Sequence, residues 1–430
     1  MITNIGTILK QKLDGKDVAL RGWAYRHRTS GKMVFVTMRD PTGIIQITIK
    51  KDKVGENAWK DANDTYVESS FTVQGRVVAD ERAPGGFEIQ ATNYELISRG
   101  EPFPIAKDLS EDYLLDIRHL WMRSQKINNI MKARHHIVNY LREFFDDEGF
   151  YEVAPPIITR SGCEGGSTLF EMDYFGEKAY LTQSSQMYAE VFVFSLGKVF
   201  VMAPSFRAEK SRTIRHLAEY WHLEPEMAFY DHNMNMELQE AMVEYVAKKM
   251  VKEHSELLEA CGRNPEDLAK VRGPFERMHY NDAVDRINEL GGRIEHGEDF
   301  GAPDEALLTK ELDKPLFVEK FPKKIKSFYM KEDPNDPEHV LADDLLAPAG
   351  HGEIIGGSER IWEYDELMTR MNEENLKMED YQWYVDLRKY GSVPHSGFGL
   401  GIERFVKWML DVPHIRDTIP FPRTITRCYP

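Results

Sequence analysis

Phe206-Arg207-Ala208-Glu209-Lys210-Ser211-Arg212-Thr213-Ile214-Arg215-His216-Leu217-Ala218-Glu219-Tyr220 reads as a strand ending in arginine, a short loop of basic and hydroxyl residues, then a histidine and an aromatic. That order can hold an adenine nucleotide: arginine grips phosphate through charge-assisted bidentate bonds, and an aromatic face supports the base. Standing alone, the segment fits a solvated charged loop better. Strand-like runs lie on either side, Val199–Ala203 before it and His222–Ala228 after it. Further along, Ser396-Gly397-Phe398-Gly399-Leu400-Gly401-Ile402-Glu403-Arg404-Phe405 sets three glycines before an arginine at a helix start.

The chain around these two stretches mixes strands and helices. Ile127, Ile130, Met131, Ile137, Val138, Leu141, Phe144 and Phe145 fall at helical spacing, and Gly149 is placed to stop that helix. A second amphipathic helix is expected over Met236–Ala260, with strands at Lys178–Thr182 and Ile354–Gly356. Without a regular βαβ alternation, this predicts an α+β domain on an antiparallel sheet flanked by helices. No glycine-rich phosphate loop of standard spacing is present.

The N-terminal part differs. Asp17–Tyr25, Lys32–Arg39, Ile44–Ile49, Ser69–Val78 and Phe87–Leu96 are rich in β formers, and Asp40-Pro41-Thr42-Gly43 is a hairpin turn signal. Five short strands suit an OB-fold barrel; a sandwich or an SH3-like barrel fits the same pattern. The expected organisation is a barrel domain over 1–98, a linker over 99–124 and a catalytic domain over 125–430. A chain of 430 residues exceeds one ordinary core, which also predicts two domains.

Composition narrows the class. No apolar run approaches the roughly 20 residues of a membrane span, and the N-terminal stretch lacks the pattern of a secretory signal. Three scattered cysteines, Cys163, Cys261 and Cys428, give neither a disulfide framework nor a zinc spacing and fit a reducing cytoplasm. The net charge of −16 lowers the expectation of nucleic-acid binding, because phosphate recognition leaves a basic footprint. A large chain can still confine its basic residues to one face.

Together, the two stretches resemble motifs 2 and 3 of the class II aminoacyl-tRNA synthetases. The helix running into Gly149-Phe150-Tyr151-Glu152-Val153-Ala154-Pro155-Pro156 resembles their motif 1, which implies a homodimer. With the N-terminal barrel, the likeness falls in the aspartyl, asparaginyl and lysyl subgroup. It is nearest the asparaginyl branch in its archaeal and eukaryotic form, through Ile325–Met330, Gly352–Ser358, Asp386–Gly391, His414–Asp417 and Phe421–Arg423.

The resemblance implies ATP-dependent activation of asparagine and its transfer to tRNA(Asn). It implies that Arg207 holds the α-phosphate and the reacting carboxylate, that Arg404 and His216 meet the γ-phosphate, and that Tyr220 stacks on adenine. Glu209 and Glu353 join the ATP site, and Asp344 with Glu353 are the implied Mg2+ carboxylates, hard oxygen ligands as that ion requires. The aspartyl branch places serine where Gly356 stands. Glu164 and Gln186 are implied at the substrate ammonium, with His395 either near the pocket or structural. Arg360 and Glu224 are implied at the side-chain amide. Ala189 stands where the aspartyl branch has a lysine, so a cation favouring aspartate is missing. A substrate carboxylate about 4 Å from Glu224, at an effective dielectric near 20, is repelled by roughly 4 kcal/mol, about a thousandfold bias toward the amide. On the barrel, Arg26, Arg28, Phe35 and Gln46 are the implied anticodon platform, although Phe35 fits a core position equally well. Ser211 and Arg212 belong to the loop that meets the tRNA acceptor end.

Three other functions use parts of the same sequence. An aspartyl-tRNA synthetase, discriminating or not, is disfavoured by Ala189 and Glu224. A tRNA-independent asparagine synthetase is disfavoured by the retained barrel. An inactive RNA-binding protein has no need of Arg207, Glu209, Asp344, Glu353 and Arg404 together.

Overall fold

The computed structural model describes residues 2–106, 108–163, 169–210, 213 and 215–430. The chain divides into two units, Met1–Leu114 and Leu115–Pro430.

In the first unit, β1 (Asp17–Ser30), β2 (Met33–Asp40), β3 (Gly43–Lys50), β4 (Ser70–Ala79) and β5 (Phe87–Ser98) close a barrel in the order β1-β2-β3-β5-β4. Strands β3 and β5 run parallel and the other pairs antiparallel, the OB-fold arrangement rather than a sandwich. Strict alternation in β2 sends Val34, Val36 and Met38 inward, where they meet Leu20, Ile45, Ile47, Ile49, Phe71, Val73 and Ile89. The Asp40-Pro41-Thr42-Gly43 turn is pinned by its own aspartate, whose Oδ1 accepts from Thr42 N at 2.7 Å and Gly43 N at 3.0 Å. Its other oxygen accepts from Ile5 N at 2.7 Å, seating the short helix Ile5–Gln11 so that Ile5 and Ile8 enter the core.

The second unit begins within the stretch expected to be linker. Glu111–Asp116 and Arg118–Trp121 form short helices, and Leu115, Arg118 and Trp121 are buried. Arg118 donates to the carbonyl oxygens of Pro420, Ile419 and Arg416 at 2.9–3.2 Å, so this segment is fastened to the C-terminal residues. The stretch lacks apolar periodicity because it is held by side-chain to backbone bonds.

The remaining strands are β6 (Tyr151–Glu152), β7 (Ile158–Thr159), β8 (Phe170–Tyr174), β9 (Glu177–Leu181), β10 (Lys198–Phe206), β11 (Glu219–Ala228), β12 (Glu276–His279), β13 (Leu316–Pro322), β14 (Glu332–Asp333), β15 (Asp336–Ala347), β16 (Gly352–Glu359) and β17 (His395–Gly401). The main sheet runs β12-β13-β15-β16-β17-β11-β10-β6, with β14 beside β15, and β7-β9-β8 form a small separate sheet. Its centre is antiparallel as expected, while the edge pairs β12–β13 and β10–β6 are parallel. One face is covered by helices. The Gln125–Asp147 helix, capped by Ser124, buries Ile127, Ile130, Ile137, Leu141, Phe144 and Phe145, and Phe145 stacks on Phe200 of β10 at 5.1 Å. The longer His232–Cys261 helix, capped by Asp231, sends Asn235 and Gln239 to Asp343 of β15 on that same face. Residues of opposite parity on β11, β15, β16 and β17 therefore face away from these helices, and they make the site.

Candidate functional site

On β11, His222, Glu224 and Glu226 alternate onto the open face, opposite Gly397 and Gly401 of β17. The glycines of the second quoted stretch make room for them. A Cβ at Gly397 would collide with the Glu226 carboxylate, and one at Gly399 would come within 2.7 Å of His222 Nε2. Across β16, Gly356 lies opposite both Gly399 and Asp344. A two-lobed cavity covers this face, the lobes meeting at Arg207, His222, Glu353 and Gly399.

The first lobe gathers Arg207, Arg215, His216, Tyr220, Glu353 and Arg404. Arg404, on the first turn of the Ile402–Met409 helix, donates from Nη1 to Glu353 Oε2 at 2.8 Å. Burial would raise the Glu353 carboxyl, but Arg404, Arg215 and Lys326 pull it down to about 2, so it is ionised. His216 is pushed below the usual imidazole range by burial and then by Arg404; it is neutral at pH 7, with Thr213 Oγ1 against Nδ1. Glu209 lies at the rim, 3.9 Å from His216 Nε2 and largely exposed. The Arg207 guanidinium sits 6.0 Å from the Tyr220 ring. Guanidinium groups plus one aromatic face form a lobe for a polyphosphate joined to a flat base.

In sequence Arg215 is only the last residue of the loop Lys210–Arg215 expected at the tRNA acceptor end. It donates to Glu305 Oε2 at 2.7 Å, and the same oxygen accepts from Glu353 N at 2.6 Å. This pair ties the loop after β10 to the Ala302–Thr309 helix and to Glu353, across 90 and 48 residues of sequence, so no local pattern announces it.

The second lobe contains Gln186, Glu224, Lys326, Asp344 and Arg360. Arg360 is held in a buried ion pair. Its Nη2 and Nε donate to Glu226 at 2.5 and 3.2 Å, and Nη1 donates to Ser358 Oγ at 2.6 Å. Burial pushes Glu226 up to about 7 against the pull of Arg360. Glu224 accepts from Ser185 N at 2.9 Å and from Ser184 Oγ, and His222 Nδ1 is 3.2 Å away. Gln186 donates to Glu190 at 3.0 Å. Ala189 is fully buried and supplies no charge. His395 is fully buried too, with Nε2 at 3.0 Å from Glu190 and Nδ1 at 2.8 Å from the Val393 carbonyl, so it belongs to the packing beneath the cavity. The Glu226 signal was present in the sequence: Glu224 and Glu226 are two apart on a strand and must share a face.

Asp344 accepts from Lys326 Nζ at 2.9 and 3.1 Å. A Cβ at Gly356 would lie 3.5 Å from Asp344 Oδ1 and 3.7 Å from Glu353 Oε1, so both carboxylates converge over that glycine. Among the described residues no cluster of three His, Cys, Asp or Glu is arranged around a metal position. The carboxylates of Asp344 in the second lobe and Glu353 at the junction are hard oxygen ligands that would fit a Mg2+ ion.

On the barrel, Phe35 sits on the outer face of β2, out of phase with the core residues Val34 and Val36. An irregularity between Ala24 and Arg26 changes the phase of β1 and brings Arg26 opposite Thr37 and Arg28 opposite Phe35. The Arg28 guanidinium lies 4.3 Å from the Phe35 ring. Gln46, also opposite Thr37, donates to Glu88 at 3.1 Å. Arg26, Arg28, Phe35 and Gln46 thus share one outward face. Glu164, Ser211 and Arg212 lie outside the described residues.

Residues 110–425 match the family described as tRNA synthetases class II (D, K and N), and residues 18–97 match the OB-fold nucleic acid binding domain. The chain belongs to the class II tRNA synthetases of that D, K and N group. Among its relatives, the asparagine–tRNA ligase of Thermoplasma acidophilum is 46% identical over 97% of both chains. That of Thermococcus gammatolerans is 48% identical over 98% of both. The crystal structure of asparaginyl-tRNA synthetase from Pyrococcus horikoshii, complexed with asparaginyl-adenylate, matches over 100% of both chains at 47% identity and a TM-score of 0.96. Among the described residues no helix is long and apolar enough to cross a membrane.

Proposed function

We propose that this chain activates asparagine with ATP, giving asparaginyl-adenylate and pyrophosphate, and transfers the asparaginyl group to the 3′ end of tRNA(Asn). The observation that carries the choice of amino acid is Glu226 on Arg360. With that cation compensated and Glu224 beside it, the lobe suits a neutral amide rather than a carboxylate.

In the first step an oxygen of the asparagine carboxylate attacks the α-phosphorus. The bond from that phosphorus to the bridging oxygen breaks, and pyrophosphate leaves. No side chain forms a covalent bond, so catalysis is alignment and charge stabilisation. Arg207, at the junction of the lobes, neutralises both the attacking carboxylate and the α-phosphate, while Arg404 and His216 hold the far end of the triphosphate and Tyr220 the adenine. Glu209 lies near His216 at the rim of this ATP site. Mg2+ held by Asp344 and Glu353 would supply further neutralisation of phosphate charge. In the second step a hydroxyl of the terminal ribose attacks the activated carbonyl carbon and AMP leaves. Glu164 and Gln186 receive the substrate ammonium, Ser211 and Arg212 meet the acceptor end, and Arg26, Arg28, Phe35 and Gln46 hold the anticodon. We place the enzyme in the cytoplasm as a homodimer, a reading supported by its cysteine usage and by the motif 1 resemblance.

Charging tests the proposal. The purified protein with labelled asparagine should acylate a tRNA(Asn) transcript, and Arg207→Ala should still bind that tRNA while its adenylation falls at least a hundredfold. Adenylation by Arg207→Ala at near the unmodified rate would overturn the assignment.

A further inference from the structure

Beneath the second lobe, the Gln186–Leu196 helix carries Glu190 into a fully buried polar cluster. One Glu190 oxygen accepts from Gln186 Nε2 at 3.0 Å and Tyr384 Oη at 2.9 Å. The other accepts from Arg388 Nη2 at 2.6 Å and from Tyr384 at 2.8 Å, and lies 3.0 Å from His395 Nε2. Burial alone would discharge this carboxyl, but Arg388 and His395 hold it ionised, far below the usual carboxylate range. An ionised carboxylate only accepts hydrogen bonds, so the amide one helical turn before it must present its NH2 group. The carbonyl oxygen of that amide takes no hydrogen bond from any described residue, and Gln186 lines the cavity.

We propose that Glu190 is a positioning residue for the amino-acid substrate: it pins the Gln186 amide so that the carbonyl oxygen, not the NH2 group, meets the α-ammonium. The inference rests on the amino-acid-activating function proposed above. An amide free to rotate would turn its NH2 donors on the ammonium in half of its orientations, which is repulsive. A pinned amide offers an acceptor every time, and a hydrogen bond to a charged group is strong at a buried site.

The test is ATP–pyrophosphate exchange by Glu190→Gln. A glutamine at 190 can donate or accept, so it no longer dictates the orientation of Gln186. The KM for asparagine should rise roughly tenfold or more, with the KM for ATP unchanged. Inhibition by succinamate, which is asparagine without its α-amino group, should be unaltered, since that molecule has no ammonium to meet. Equal weakening of asparagine and succinamate would make Glu190 merely structural and overturn the inference, as would an unchanged KM. Should Glu190→Gln not fold, Glu190→Asp keeps the charge that Arg388 needs but withdraws it from Gln186, and the same asparagine-selective loss is expected. Exchange by the unmodified protein is the control: its absence counts against the proposed function, whereas the asparagine-to-succinamate comparison reports on Glu190 alone.

Discussion

Glu226 lies 134 residues before Arg360 in sequence, yet its two carboxylate oxygens sit 2.5 and 3.2 Å from that guanidinium, with both residues almost entirely buried. An arginine at the end of an amino-acid pocket would select a carboxylate. An arginine already holding a carboxylate selects a group that can use its remaining hydrogen-bonding capacity without bringing another negative charge.

Replacing Glu226 with glutamine keeps the shape and removes the charge. The preference for asparagine over aspartate, measured as the ratio of kcat/KM values in exchange, should narrow by roughly tenfold or more. An unchanged ratio would mean that Arg360 is compensated from elsewhere.

The same pair predicts a pH dependence. Burial raises the Glu226 carboxyl to about 7, so the neutral form gains as pH falls through neutrality and Arg360 then meets the substrate uncompensated. Aspartate use relative to asparagine should therefore rise between pH 8 and pH 6, and Glu226→Gln should flatten that dependence. Discrimination that improves as pH falls would contradict the sign.

Gly397 tests the link between the glycine-rich strand and this pair. A methyl at 397 would drive into the Glu226 carboxylate, and no flexible chain end is available to yield, because Glu226 is fully buried. Gly397→Ala should lose asparagine activation by at least a hundredfold, since a misplaced pocket forfeits alignment. Its barrel domain should keep the thermal stability of the unmodified protein.

The barrel separates surface from core. Phe35→Ala should cost little stability and leave exchange intact, while raising the KM for tRNA by about tenfold or more through lost base stacking. Ile47→Ala, at a fully buried position, should instead destabilise the barrel by about 2–5 kcal/mol. Equal stability losses from the two would place Phe35 in the core.

Local patterns gave the sequence most of its legibility. Runs of β formers between turn signals located all five barrel strands to within a few residues except the far end of β1, where the irregularity after Ala24 changes the phase and the strand continues to Ser30. Helical spacing marked Gln125–Asp147 and His232–Cys261, because each buries one apolar stripe. Strand β13 went unread: Leu316, Phe317 and Val318 are buried consecutively, so no alternation remains. Arginines beside glycine or hydroxyl residues pointed to the site. Their partners are harder to read: Glu226 shares a strand face with Glu224 but pairs with Arg360 far along the chain, and Glu305, on a helix, pairs with Arg215.

The most direct test of the central claim is ATP–pyrophosphate exchange by the unmodified protein without tRNA, comparing asparagine with aspartate. The compensated Arg360 beside Glu224 predicts exchange favouring asparagine by about a thousandfold. Exchange supported as well by aspartate would contradict the pocket, while leaving the nucleotide lobe and its adenylation chemistry in place.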